Sequence, residues 1–129
     1  AGSVSILASL DRPHWTEIVK RNSSKYAKYR MNAELVSEHV EQAIVRGFSF
    51  DSGVLIPECA GLGVPIRERG RYESGLSVTM SVPRDFFEAN QPSRVAGAIR
   101  DIIDRTQGGT IRSRASTKRV KVDRQFPGV

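Results

Sequence analysis

The chain has 129 residues, 39% of them hydrophobic, and a formal charge of +6 at pH 7. That length supports one domain with a modest core, and no apolar run approaches the ~18 residues that would span a bilayer. A single cysteine, Cys59, excludes an internal disulfide, and two histidines, His14 and His39, fall without ligand spacing, so no metal site is expected.

The charge is unevenly placed. Residues 108–129 hold Arg112, Arg114, Lys118, Arg119, Lys121 and Arg124 against Asp123, a surplus of five that leaves +1 for the remaining residues. The body is electrostatically ordinary and only the tail is basic. Such a tail suits a solvated end or a contact with phosphates or acidic partners. With a lone cysteine and no signal-peptide pattern, a reducing, cytoplasmic compartment is expected.

In chain order, residues 2–10 are small and apolar, compatible with a buried helix or a strand. Asp11, with Pro13 two positions later, marks a helix start, because Asp accepts from free N–H groups and Pro suits the first turn. Trp15, Ile18 and Val19 then share one face of a short helix that ends near Arg21. Residues 22–31 are polar with two tyrosines and read as a connection or an irregular strand. Asn32 is a second cap. Leu35, Val36, Val40, Ala43 and Ile44 recur at helical spacing up to Gly47, the usual stop.

Phe48–Phe50 reads as a short strand and Asp51 to about Glu58 as a loop. Cys59–Arg67 and Tyr72–Val82 read as strands around Glu68–Gly70–Arg71, an antiparallel hairpin that Pro83 ends. A last helix is expected from Pro92 to Gln107, with Val95, Ile99, Ile102 and Ile103 on one side, and Gly108-Gly109 marks the domain edge. The expected class is α+β, an antiparallel sheet with packed helices. Three strands make a thin sheet with exposed edges, so a partner or a missing segment is expected beside it.

Four stretches carry a resemblance. They are Arg46-Gly47 with Phe48-Ser49-Phe50-Asp51, then Gly61-Leu62-Gly63-Val64-Pro65-Ile66, then Gly75-Leu76-Ser77-Val78-Thr79, and the opening Ala1-Gly2-Ser3-Val4-Ser5-Ile6-Leu7-Ala8. In this order and spacing the chain resembles the effector-binding domain of IclR-type bacterial transcription regulators. Those segments commonly read RGY-x-x-DDEE, RCIAAPV, AAISVSGP and AxGKAxLA there. The resemblance spans roughly residues 1–107 and implies the C-terminal portion of a GAF/profilin-like effector domain. The first strands of its sheet and a winged helix–turn–helix domain would lie upstream. Residues 108–129 have no counterpart.

The resemblance implies a pocket for a small organic acid between the sheet and the first helix. Carried over position by position, Asp51 matches the first acidic residue of the loop, and Gly61 falls where cysteine often stands. Ser77 and Thr79 match the two strand hydroxyls, and Ala1 matches a small residue whose backbone N–H helps hold the effector carboxylate. The residues alone agree in outline, since Ser77 and Thr79 lie two apart and present both hydroxyls to one face. They also fit plainer roles, a solvent face for the hydroxyls and a turn for Asp51. Ser52 and Gly53 stand where acidic residues are expected, and Gly61 removes a side chain from the implied wall.

No constellation for catalysis appears: Cys59 has no base in sequence reach, and Gly61-x-Gly63 precedes strand rather than helix, unlike a phosphate loop. The expected function is a non-enzymatic, cofactor-free sensor module. It would form a homo-oligomer and bind DNA only through the parent protein's upstream domain. A ligand-free dimerisation module and nucleic-acid contact through the basic tail are the alternatives.

Overall fold

Two capped helices set the framework on which the sheet packs. The computed structural model describes residues 1–67 and 75–108. The expected turn at Glu68–Gly70–Arg71, the strand residues expected from Tyr72 to 74 and the tail from Gly109 onward lie outside the described residues. The order is α1 (Gly2–Leu7), α2 (Arg12–Arg21), α3 (Ser23–Tyr26), a 3-10 turn (Ala27–Tyr29), α4 (Ala33–Arg46), β1 (Ser49–Asp51), β2 (Cys59–Pro65), β3 (Ser77–Pro83), α5 (Phe86–Ala89) and α6 (Pro92–Gly108). This is an α+β fold.

The caps form as the sequence predicts. The Asp11 carboxylate accepts from the His14 amide, and the Asn32 side chain accepts from the Leu35 amide at 2.7 Å. Each satisfies one of the free donors at a helix start. Gly47 ends α4 in the left-handed region (φ 76°), and its amide closes on the Ala43 carbonyl.

Residues 2–10, left between helix and strand, open as α1. Residues 22–31 are a correction. They form α3 and the 3-10 turn instead of a connection or irregular strand. Tyr26 and Met31 pack onto the cluster of Trp15, Val19, Val36 and Val40, which holds the segment against α2 and α4. Local polarity hid this, because the apolar groups that fix it arrive only through packing. The short α5 was likewise not expected, and β2 stops at Pro65 rather than Arg67.

The sheet runs β1-β2-β3, antiparallel throughout. Register pairs Ser49 with Gly63 and Gly63 with Thr79, and Asp51 with Gly61 and Gly61 with Ser81. Directly opposed residues share a face, so the sheet has two unlike sides. Phe50, Leu62, Val64 and Met80 form the apolar side, where α6 contributes Ala96 and Ile103 to the core and Phe87 meets Phe50 edge-on. Ser49, Gly61, Gly63 and Thr79 form a small, polar side, and α1 lies on it.

Three expected core positions are more open. Ile18 is 37% exposed and Ile102 62%, while Ile44 on α4 is also exposed. Val19 and Ile103 hold the buried places instead. A stripe of helical spacing spans more of the helix surface than its neighbours cover.

Candidate functional site

The start of α1 sits on the small-residue side of the sheet with almost no clearance. A Cβ at Gly2 would come within 2.6 Å of Thr79 Oγ1 and 3.3 Å of Ser77 Oγ, and one at Gly63 within 3.0 Å of the Ala1 carbonyl oxygen. The space beside Gly61 is taken by the Ala1 methyl, 3.2 Å from where a Gly61 Cβ would be. Hydrogen bonds fix the seat. The buried Ser49 hydroxyl donates to the Ala1 carbonyl at 2.6 Å, and the Ser5 hydroxyl donates to the Gly2 carbonyl at 2.8 Å. The Ser77 hydroxyl reaches the Gly2 carbonyl and Thr79 Oγ1, both at 3.4 Å.

The fold thus brings Ala1, Asp51, Gly61, Ser77 and Thr79 to one side of the sheet, around the beginning of α1. Their surroundings differ. Ser77 and Thr79 meet the Gly2 backbone, and Gly61 meets Ala1. Asp51 stands at the end of β1, where Oδ1 accepts from the Gly53 and Val54 amides at 3.0 and 2.7 Å. It therefore shapes the loop that follows, as an Asx turn does.

Ala1 and Asp51 also border a cavity of about 660 Å³. Its wall is mostly apolar, with Val4, Leu7, Leu10, Ile18 and Met31 from the helical side and Phe50 and Leu55 from β1 and its loop. Lys25, Tyr26, Tyr29 and His39 supply the polar groups, together with Ser3, Asn22 and Ser49. Gly61, Ser77 and Thr79 do not line it. The volume lies within the ~300–1,000 Å³ usual for small-molecule sites, and an apolar wall with a few polar groups is their usual composition.

The charges on this wall are unequal in their commitments. Asp51 is already bonded to two backbone amides, whereas Lys25 has no ion pair and the Tyr26 hydroxyl no hydrogen bond among the described residues. Desolvation raises the Tyr26 phenol above its ordinary pKa of 10.0, which keeps it a donor. Sequence reasoning missed these groups because they lie on the segment taken for a connection. The available signal was Tyr26 and Tyr29, three apart and on one side of any helical turn.

A second hollow lies between Gly47, Pro65, Arg67, Arg100, Ile103 and Asp104. There Arg100 donates to the Gly47 carbonyl at 2.8 Å and ties α6 to the end of α4. Among the described residues no group of three or more His, Cys, Asp or Glu could hold a metal ion, and no helix is long and apolar enough to cross a membrane.

No family model matches the chain, and no curated protein matches it. Among solved structures it is similar to the crystal structure of the Agobacterium tumefaciens repressor BlcR, with a TM-score of 0.65 at 14% sequence identity. The match covers 84% of this chain and 46% of that one, so the chain spans less than half the length of the repressor it resembles. At this identity the likeness is one of fold, and the fold it shares is that of part of a transcription repressor.

Proposed function

We propose that the chain is the sensor portion of a bacterial transcription regulator of IclR type. It binds a small organic acid without transforming it, and it acts on DNA through a domain outside this chain. The observation that carries this reading is the cavity of about 660 Å³ bordered by Ala1 and Asp51. Two of the positions matched to the family's effector site thus meet an apolar-walled space of ligand size. The fold shared with a repressor supports it.

The residues divide by role. Ala1 and Asp51 border the ligand space, with Asp51 holding the loop that carries Val54 and Leu55. Gly61, Ser77 and Thr79 seat the start of α1 and so fix one wall of that space. A ligand filling the cavity would touch α1, α2, α3 and α4 together. It would regulate by binding one arrangement of subunits in a homo-oligomer more tightly than another.

The test is thermal unfolding of the intact protein against a panel of aliphatic and aromatic acids. A binding acid at about 100 times its Kd adds about 2.7 kcal/mol to stability and raises the unfolding temperature. No rise with any acid would remove the sensor reading. It would leave the second reading, a ligand-free oligomerisation module. The close seat of the Gly2 backbone on the Ser77 and Thr79 hydroxyls favours that second reading.

A further inference from the structure

An acid bound in this cavity needs a counter-charge, and the strand hydroxyls cannot supply one. Ser77 and Thr79 are turned to the Gly2 backbone and lie outside the cavity wall. Apart from His39, the acidic and basic side chains on that wall are Lys25 and Asp51. Asp51 is the wrong sign for an acid, and its Oδ1 is held by the Gly53 and Val54 amides. Lys25 stands at the exposed edge of the wall with no acidic partner among the described residues. Beside it on the same short helix, Tyr26 offers a hydroxyl with no hydrogen bond among the described residues. Apart from Ser3, Asn22, His39 and Ser49, the rest of the wall is aliphatic or aromatic, and the cavity of about 660 Å³ is much larger than a two- or three-carbon acid could fill.

We infer that Lys25 holds the head group of the ligand, with Tyr26 as second donor, and that the ligand is a monoanion with a bulky apolar body packed among Leu7, Leu10, Ile18, Met31 and Phe50. This rests on the sensor reading and names the residue and ligand shape that it leaves open. Long side chains at a cavity mouth can keep a charged head in solvent while an apolar ligand body is enclosed. The head group therefore sets charge preference, and the wall sets size preference.

The experiment measures binding of acetate, octanoate and octanamide to the intact protein by calorimetry, with Lys25→Gln, Tyr26→Phe and Ser77→Ala/Thr79→Ala variants alongside. Unfolding temperatures without ligand verify that each variant is folded. Octanoate is expected to bind at least about tenfold more tightly than acetate, since each buried methylene adds to affinity. Lys25→Gln is expected to weaken octanoate by about three- to tenfold and leave octanamide unchanged, as the loss of a partly exposed ion pair would. If octanoate binds but is weakened by Ser77→Ala/Thr79→Ala and not by Lys25→Gln, the head group sits at the strand face. The assignment to Lys25 is then wrong while the sensor reading stands. Tighter binding of acetate than octanoate overturns the ligand shape in the same way. If neither acid binds, the proposal falls, and the sensor reading falls with it only when the full panel of aliphatic and aromatic acids also gives no rise in unfolding temperature.

Discussion

Gly63→Ala tests how tightly the start of α1 is seated on the sheet. Gly63 has no positive φ, so its backbone accepts alanine and any penalty is steric. The new methyl would lie 2.7 Å from Ser49 Oγ, 3.0 Å from the Ala1 carbonyl oxygen and 3.1 Å from its carbon. Two of those neighbours are backbone and cannot turn away. Ser49 could turn, but only by giving up its 2.6 Å bond to Ala1, in a place where it is 2% exposed.

Overpacking of this kind costs about 1–3 kcal/mol, and a lost buried hydrogen bond about 1 kcal/mol more. The stiffer unfolded chain returns about 0.4–1 kcal/mol. The net is a loss of about 1–3.5 kcal/mol. For a chain of this size that is a fall of roughly 10 °C in Tm. The control is Gly97→Ala on α6, where a Cβ meets nothing within 4 Å. Alanine in a helix interior is better than glycine by roughly 0.5–1 kcal/mol, so this variant should gain stability. Both are measured by thermal and urea unfolding. Equal effects of the two substitutions, or a Gly63→Ala protein as stable as the parent, would show that α1 does not rest on β2 at this distance.

Three further outcomes follow from the fold. Leu62→Ala removes a side chain with no exposure from the centre of the sheet's apolar face, and a loss of about 2–5 kcal/mol is expected in urea unfolding. Asn32→Ala deletes the cap of α4 and should cost about 1 kcal/mol, whereas Asn32→Asp should restore most of it. Asp11→Asn probes acid stability. The bond from the His14 amide is the largest influence holding the Asp11 carboxyl below its ordinary 3.8, so its stabilisation is present above that value and lost as pH falls through the lowered one. The variant keeps an acceptor but not the charge, so its stability should fall less steeply below pH 3.8 than the parent's; an unchanged acid limb would deny Asp11 that part.

The sequence by itself determined the elements whose signals are local. Asp11, Asn32 and Gly47 place helix ends because capping and left-handed backbone depend on one or two residues. The apolar runs read as Cys59–Arg67 and Tyr72–Val82, set around a charged turn, place two strands that the structure draws at Cys59–Pro65 and Ser77–Pro83. It also placed Asp51, Gly61, Ser77 and Thr79 in order, and register then set them on one side of the sheet.

What only the tertiary structure decided is what those residues face. A strand hydroxyl looks the same in sequence whether it meets solvent, a ligand or another helix, and here Ser77 and Thr79 meet the backbone at Gly2. The cavity is likewise assembled from segments far apart in the chain, Leu10 and Ile18, Lys25 and Tyr26, His39, Phe50 and Leu55, none of which carries a local mark of its partners. Ile18 and Tyr26 read as a helix-face residue and a connection, and they became wall because packing of α1, α2 and α4 left a space that their own spacing does not encode. Local chemistry fixes where an element starts and stops; long-range packing alone fixes which of its faces encloses a volume.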